Sequence, residues 1–113
     1  MRLRTDFWID ALRRRAEREG AYVQVARRGA AEAGAILLLV NRLDGSFDLY
    51  GPAPQYVFTG ESSGERIFTQ LLDRTSETLS ADRIASEIRF DGDLWVVEIE
   101  DRGGRVFADT ATI

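Results

Sequence analysis

Residues 35–50 read AILLLVNRLDGSFDLY, and this stretch decides the predicted fold. Ala35 to Arg42 predicts a strand whose side chains are apolar at consecutive positions from Ile36 to Val40, which is typical of a strand that is covered on both faces. Asp44 and Gly45 then predict a tight hairpin, because a type I′ turn needs positive φ at both central positions. Ser46 to Tyr50 returns as the partner strand. The sequence therefore predicts a central strand with an antiparallel neighbour.

The segment before this hairpin predicts one helix and one strand. Asp6 to Glu19 places its apolar side chains on one arc of a helix, with Thr5 as the N-cap and Gly20 at the C-terminal end. Tyr22 to Arg27 alternates apolar and polar residues, so one face of this strand should be buried. The residues expected on that face are Val23 and Val25.

The segment after the hairpin is harder to interpret. Residues 55–59 suggest extended chain and residues 60–64 a polar loop. Glu65 to Leu72 fits either a strand or a helix, and its β-branched and aromatic content favours the strand.

The last third predicts a second helix and a long strand. The helix is expected to begin at Ser80 as N-cap, with Ile84, Ala85 and Ile88 as its inner stripe. Leu94 to Asp101 follows as the long strand, and Val106 to Ala108 as a short final one.

These elements predict one α+β domain spanning residues 1–113. We expect a largely antiparallel sheet of four to six strands with two helices on one face, in the order α-β-β-β-(β)-α-β.

The composition excludes several classes of chemistry. The chain has no histidine, cysteine or lysine. Imidazole catalysis, thiolate nucleophiles, disulfides, Schiff bases and zinc sites built from histidine or cysteine are therefore excluded. We predict no metal and no cofactor. The longest apolar run, Ala35 to Val40, is far shorter than the roughly 20 residues needed to cross a bilayer, so we expect a cytoplasmic protein without a membrane partner.

Positive charge is concentrated at the N-terminal end, although the net charge is −4. Residues 1–28 hold eight arginines and four acids. If the first strand packs beside the helix end, Arg18, Arg27 and Arg28 could converge on an anion or on an acidic partner. The acidic total disfavours nucleic acid as that partner.

Two patterns suggest catalysis, and each has a simpler interpretation. Residues 60–64 match G-x-S-x-G, but the serine would have no histidine to take its proton, so a polar loop is favoured. Glu98, Glu100 and Asp101 could form a carboxylate site, and the alternative is a solvated strand face.

The two tryptophans, Trp8 and Trp95, could line a ligand pocket or an interface. Both occupy apolar faces of regular elements, so packing of the first helix on the last long strand is favoured.

Together these features favour a non-enzymatic interaction module that binds a protein partner or associates with itself, through a sheet edge or the face of the first helix. The alternatives are an anion or nucleic-acid binder and a carboxylate-dependent enzyme.

Three stretches resemble one known family. They are RLRTDFWIDALRRRAE, ILLLVNRLDGSFDLYGPAPQ and ASEIRFDGDLWVVEIEDRGGR. The chain resembles the small alphaproteobacterial proteins grouped as domain of unknown function 1491 (DUF1491). The resemblance implies a short, stand-alone, cytoplasmic bacterial protein. It assigns no activity and gives no residue a role.

Overall fold

A computed structural model describes residues 3–54 and 66–112 of the chain. The elements follow in the order α1 (Thr5–Arg18), β1 (Tyr22–Arg27), β2 (Ile36–Asn41), β3 (Phe47–Pro52), β4 (Ile67–Thr75), α2 (Glu77–Phe90), β5 (Trp95–Glu100) and β6 (Asp109–Thr110). The strand expected over residues 65–72 is confirmed from residue 67 onward, where β4 begins. The expectations for residues 55–59 and for the motif at 60–64 lie outside the described residues.

The six strands form one sheet in the order β1-β5-β2-β3-β4-β6. The expectation of a largely antiparallel sheet is wrong, because β2 pairs with β5, and β4 with β6, in parallel. The α2 segment carries the chain from β4 back across the sheet, and β5 then enters between β1 and β2. The apolar pattern of β2 indicates burial on both faces, but it does not specify the direction of a neighbouring strand.

The two helices cover opposite faces of the sheet, which corrects the expectation of a single helical face. On one face α1 buries Ile9 and Leu12 against Trp95 and Val97. On the other face α2 packs Ile84 against a cluster that contains Leu37 and Val96. The central strand β2 is therefore covered from both sides, as its sequence predicts.

Both tryptophans belong to the α1 face, which confirms the packing of the first helix on the last long strand. Trp95 is 1% exposed, and Trp8 packs beside Phe68 with ring centroids 5.4 Å apart. The Trp95 indole Nε1 donates to the carbonyl of Ala30 at 2.7 Å. The one polar atom of the buried indole is thus satisfied.

Several element boundaries differ from the predicted ones for local reasons. Thr5 is the first residue of α1 rather than its cap, because its hydroxyl donates to the Gly34 carbonyl at 2.8 Å. Ser76, not Ser80, caps α2 by accepting a hydrogen bond from the Leu79 amide. In α2, Ala85 is exposed rather than part of the inner stripe.

The loops and the edge strand also differ from expectation. The hairpin between β2 and β3 has positive φ at Leu43 and Gly45 rather than at Asp44, so it is not a two-residue type I′ turn. Val25 is 38% exposed beside a bulge in the pairing of β1 with β5. No strand forms at Val106–Ala108, because Phe107 has φ 59°, and β6 begins one residue later.

Candidate functional site

The three predicted arginines lie at two different ends of β1. Arg18 ends α1, just before β1 begins. Arg27, at the other end of β1, donates to the carbonyls of Gly92 and Leu94 at 3.1 Å and 2.6 Å. The Arg28 guanidinium carbon lies 4.8 Å from the centroid of the Trp95 ring. The five residue steps of β1 span about 17 Å, so a single chain does not bring Arg18 together with the other two. Their role in anion binding stays a prediction.

Arg18 instead lines an open groove between the C-terminal end of α1 and the segment that follows β5. We call it the arginine groove, and its volume is about 480 Å³. It is lined by Arg15, Arg18, Glu19, Arg105 and Phe107. Apart from Arg18, none of these residues was singled out from the sequence. Arg15 and Arg18 share a helix face by their three-residue spacing, but no local pattern predicts that Arg105 joins them.

The side chain of Arg105 is fixed on the wall of this groove by two acidic residues. Its Nη2 and Nε donate to the two oxygens of Asp101 at 2.8 Å and 3.0 Å. Nη2 also donates to the Glu19 backbone carbonyl at 3.0 Å, and Nη1 to the Glu19 carboxylate at 3.4 Å. All three guanidinium nitrogens are therefore engaged, and Arg105 joins the end of β5 to the end of α1.

The Asp101 carboxylate is the buried member of this ion pair. Hydrogen bonds from the Arg105 side chain lower the pKa of Asp101, and they outweigh the desolvation by burial that would raise it. The Arg105 backbone amide also donates to Asp101, at 2.8 Å. Asp101 is thus held as an anion whose two oxygens are both occupied.

Phe107 contributes the apolar part of the groove and has an unusual backbone conformation. Its φ of 59° lies in the left-handed region, which is rare for a bulky side chain. Two arginines stabilise this conformation: Arg15 donates to the Phe107 carbonyl at 3.0 Å, and the Arg105 guanidinium carbon lies 4.9 Å from the ring centroid. Strained residues of this kind are concentrated at functional sites.

A second ion pair joins Arg42, which follows β2, to Asp48 in β3, and the Arg42 guanidinium lies beside the turn after β5. The Arg42 Nε and Nη2 both lie 2.8 Å from one oxygen of Asp48, which is 0% exposed, and the other oxygen accepts from the Arg74 amide. The Arg42 guanidinium lies so close to Gly104 that a side chain there would overlap it, and Gly104 has φ 72°. Both reasons favour glycine at this position.

The remaining predicted carboxylates lie along β5 and directly after it. Glu98 and Glu100 are half-buried along β5, and Glu98 accepts a hydrogen bond from the Asn41 side-chain amide at 3.2 Å. Asp101 is committed to Arg105. Within residues 3–54 and 66–112 no three acidic side chains come close enough together to hold a metal ion. A carboxylate-dependent activity stays a prediction.

The other exposed feature near the groove is the outer edge of β1. One side of this strand pairs with β5, and no described strand lies on the other side. Tyr22 is 53% exposed at the start of the strand.

In the part of the chain that the structure describes, neither helix has the length and apolar character needed to span a bilayer.

Comparison with known proteins identifies the family. The model of the family described as "Protein of unknown function (DUF1491)" matches residues 3–109. The chain therefore belongs to the DUF1491 family, as the resemblance of its sequence indicates. No curated protein matches the chain significantly.

Solved structures of relatives share the fold over almost the whole chain. A crystal structure of a DUF1491 family protein from Caulobacter crescentus CB15 is 42% identical, with a TM-score of 0.79, and the match covers 96% of this chain and 99% of that one. The solution structure of protein Atu0922 from A. tumefaciens is 36% identical, with a TM-score of 0.86, and the match covers 100% and 98% of the two chains. An NMR structure of a DUF1491 family protein from Caulobacter crescentus CB15 is 42% identical with a TM-score of 0.77, over 98% of each chain.

Proposed function

We propose that the protein is a non-enzymatic interaction module whose β1 edge pairs with the β1 edge of a second copy. The observation that carries this proposal is that β1 is a six-residue edge strand without a partner on its outer side among the described residues. Folded proteins usually protect such an edge with charged residues, proline or a β-bulge. Residues 22–26 contain no charged residue and no proline, and the bulge of β1 lies only at its C-terminal end, between Val25 and Arg27.

The two edge strands of the sheet differ in length and charge, and β1 is the one better suited to pair with a partner strand. The opposite edge strand, β6, has only two residues, and one of them is Asp109. A strand this short and acidic offers little to a partner. At β1, Arg27 is the first charged residue, and its guanidinium bonds to carbonyls of its own chain.

The sequence of β1 is suited to antiparallel pairing with itself. In the register centred on Gln24, Val23 lies opposite Val25 of the second copy, and Tyr22 lies opposite Ala26, the residue at the bulge of β1. Directly opposed residues share a face of the sheet, so these pairs place aromatic on aliphatic and aliphatic on aliphatic side chains. No like charges oppose each other across the five-residue segment. The half-exposed side chains of Tyr22 and Val25 would be covered by this pairing.

Sedimentation across a concentration series tests this proposal. An interface formed by one strand edge is small, so we expect a reversible dimer whose dissociation constant lies between about 1 µM and about 1 mM. Wild-type protein that stays monomeric up to about 1 mM contradicts the proposal.

A pair of lysine variants locates the interface. Val25→Lys places a charge on the edge and is expected to give a monomer, whereas Thr78→Lys adds the same charge on exposed α2 and should leave the dimer intact. A native far-UV circular dichroism spectrum of Val25→Lys shows that the loss of the dimer is not a loss of fold. A dimer that survives Val25→Lys in a folded protein places the contact elsewhere and rules out the β1 edge.

A further inference from the structure

The arginine groove contains hydrogen-bond donors that the chain itself does not use. Arg18 makes no hydrogen bond or ion pair with any residue in 3–54 or 66–112. Arg15 uses only Nη2, which donates to the Phe107 carbonyl. Arg105 donates four side-chain hydrogen bonds to Asp101 and Glu19, so most of the free donors of the groove belong to Arg15 and Arg18.

The placement of these two guanidinium groups suits a carboxylate. Residues three apart on a helix are surface neighbours, and like charges at this spacing repel each other. A bound anion removes that repulsion. Guanidinium groups present planar pairs of N–H donors that match the two oxygens of a carboxylate.

The charge balance of the groove favours a single negative charge on the ligand. Three arginines are offset by Glu19 on the groove wall and by Asp101 behind Arg105, which leaves a surplus of one positive charge. The C-terminal end of the α1 dipole carries about half a negative charge, which weakens the attraction of any anion and disfavours a multiply charged one most.

The rest of the groove suits a compact apolar group. Phe107 is half-buried and lines the groove together with the two helix arginines. The volume of about 480 Å³ lies in the range that is typical of small-molecule sites. The left-handed backbone of Phe107 holds the ring in this position.

We propose that the arginine groove binds a small monoanionic organic acid, with its carboxylate held by Arg15 and Arg18 and its apolar body against Phe107. This site is separate from the β1 edge and does not depend on dimerisation.

Titration with sodium benzoate, followed by amide NMR at constant ionic strength, tests this site. We expect saturable shifts at Arg15, Arg18 and residues 105–107, with a dissociation constant on the order of millimolar. Benzyl alcohol, which keeps the ring and lacks the charge, should give no saturable shifts at the same positions. Linear shifts with benzoate, or equal binding of benzyl alcohol, overturn the proposal.

Two variants that remove the same charge distinguish specific binding of benzoate in the groove from non-specific attraction of an anion to the positive charge of α1. Arg18→Gln should weaken benzoate binding about tenfold, because it removes charge-assisted hydrogen bonds. Arg13→Gln removes the same charge from another face of α1, where Arg13 pairs with Asp10, and should leave binding unchanged. Equal weakening by both variants shows non-specific electrostatic attraction and overturns the site.

Discussion

At the scale of single residues, Asp101 links three parts of the chain. It follows β5 directly, accepts hydrogen bonds from the backbone and side chain of Arg105, and through Arg105 reaches Glu19 at the end of α1. A carboxylate in this position stabilises the fold only while it is ionised. The stability of the protein should therefore depend on the protonation of this group.

Because the pKa of Asp101 is lowered in the folded protein, ionisation of this group makes the protein more stable at neutral pH than at acidic pH. A carboxyl group whose folded pKa lies below its unfolded value stabilises the protein above the unfolded pKa, and this stabilisation is lost as pH falls through the folded pKa. The free energy of unfolding of the wild-type protein should therefore decrease as pH falls below about 4. In Asp101→Asn the difference between pH 7 and about pH 2.5 should be smaller, as measured by urea unfolding at both pH values.

The control for this experiment is Asp10→Asn, because Asp10 is an exposed carboxylate whose partner Arg13 is also exposed. It should leave the acid dependence close to that of wild type. An Asp101→Asn protein that retains the full wild-type pH dependence would contradict this role for Asp101.

At the scale of elements, α2 shows how a helix start is decided by its cap. Ser76 has extended backbone angles, and its hydroxyl accepts from the Leu79 amide at 3.2 Å. Ser80, four residues later, is 2% exposed, and its hydroxyl donates to the Glu77 carbonyl at 2.9 Å. Only the first of these serines satisfies an amide that the helix leaves without an internal acceptor.

Alanine substitution at the two serines distinguishes these roles. Ser76→Ala should lower the free energy of unfolding by about 1 kcal/mol, because the Leu79 amide loses its acceptor. Ser80→Ala should cost less, because the high helix propensity of alanine compensates for the lost hydroxyl contact. Denaturant unfolding of both variants measures the difference, and a larger loss at Ser80 would contradict Ser76 as the cap.

At the scale of the whole molecule, the three-layer arrangement covers both faces of the sheet, and among residues 3–54 and 66–112 no strand pairs with the outer edge of β1. One helix lies on each face, and β1 closes the sheet on one side without covering its outer edge. Apolar burial is thus divided between two clusters that share β2 and β5. Association through the outer edge of β1 would extend this sheet without changing either cluster.

The proposed dimer at β1 would couple thermal stability to protein concentration. A ligand or partner that binds only the folded chain stabilises it by mass action, and a second copy acts in the same way. Above the dissociation constant, the melting temperature of wild-type protein should rise by about 3 °C for each tenfold increase in concentration. Calorimetry of wild type and Val25→Lys measures this effect. If the melting temperature of Val25→Lys rises with protein concentration as much as that of wild type, pairing at β1 is contradicted.

The sequence predicts local features better than long-range ones. Alternation and turn residues place β1 at its observed bounds, and the unbroken apolar run of β2 indicates its central position. The parallel pairing of β2 with β5 depends on contacts between residues about 60 positions apart, and no local pattern encodes them.

The same limit applies to the candidate site. Arg18 was singled out from its charge, and its neighbours in the groove were not, because Arg105 reaches α1 only through the folded sheet. The left-handed φ of Phe107 could not be expected either, since bulky aromatic residues rarely adopt it.

The insertion of β5 between β1 and β2 determines the order in which the protein can fold during synthesis. The chain makes β1 and β2 early, yet the strand that joins them is not complete until residue 100. Until then, the nascent chain exposes the strongly apolar β2, and the backbone hydrogen-bonding groups on the edge that faces β5 have no strand to pair with. A protein whose topology depends on such distant contacts folds slowly, and it exposes aggregation-prone surface until the distant strands have paired. Slow folding, with the apolar β2 exposed until β5 pairs with it, is the expected consequence of this strand order.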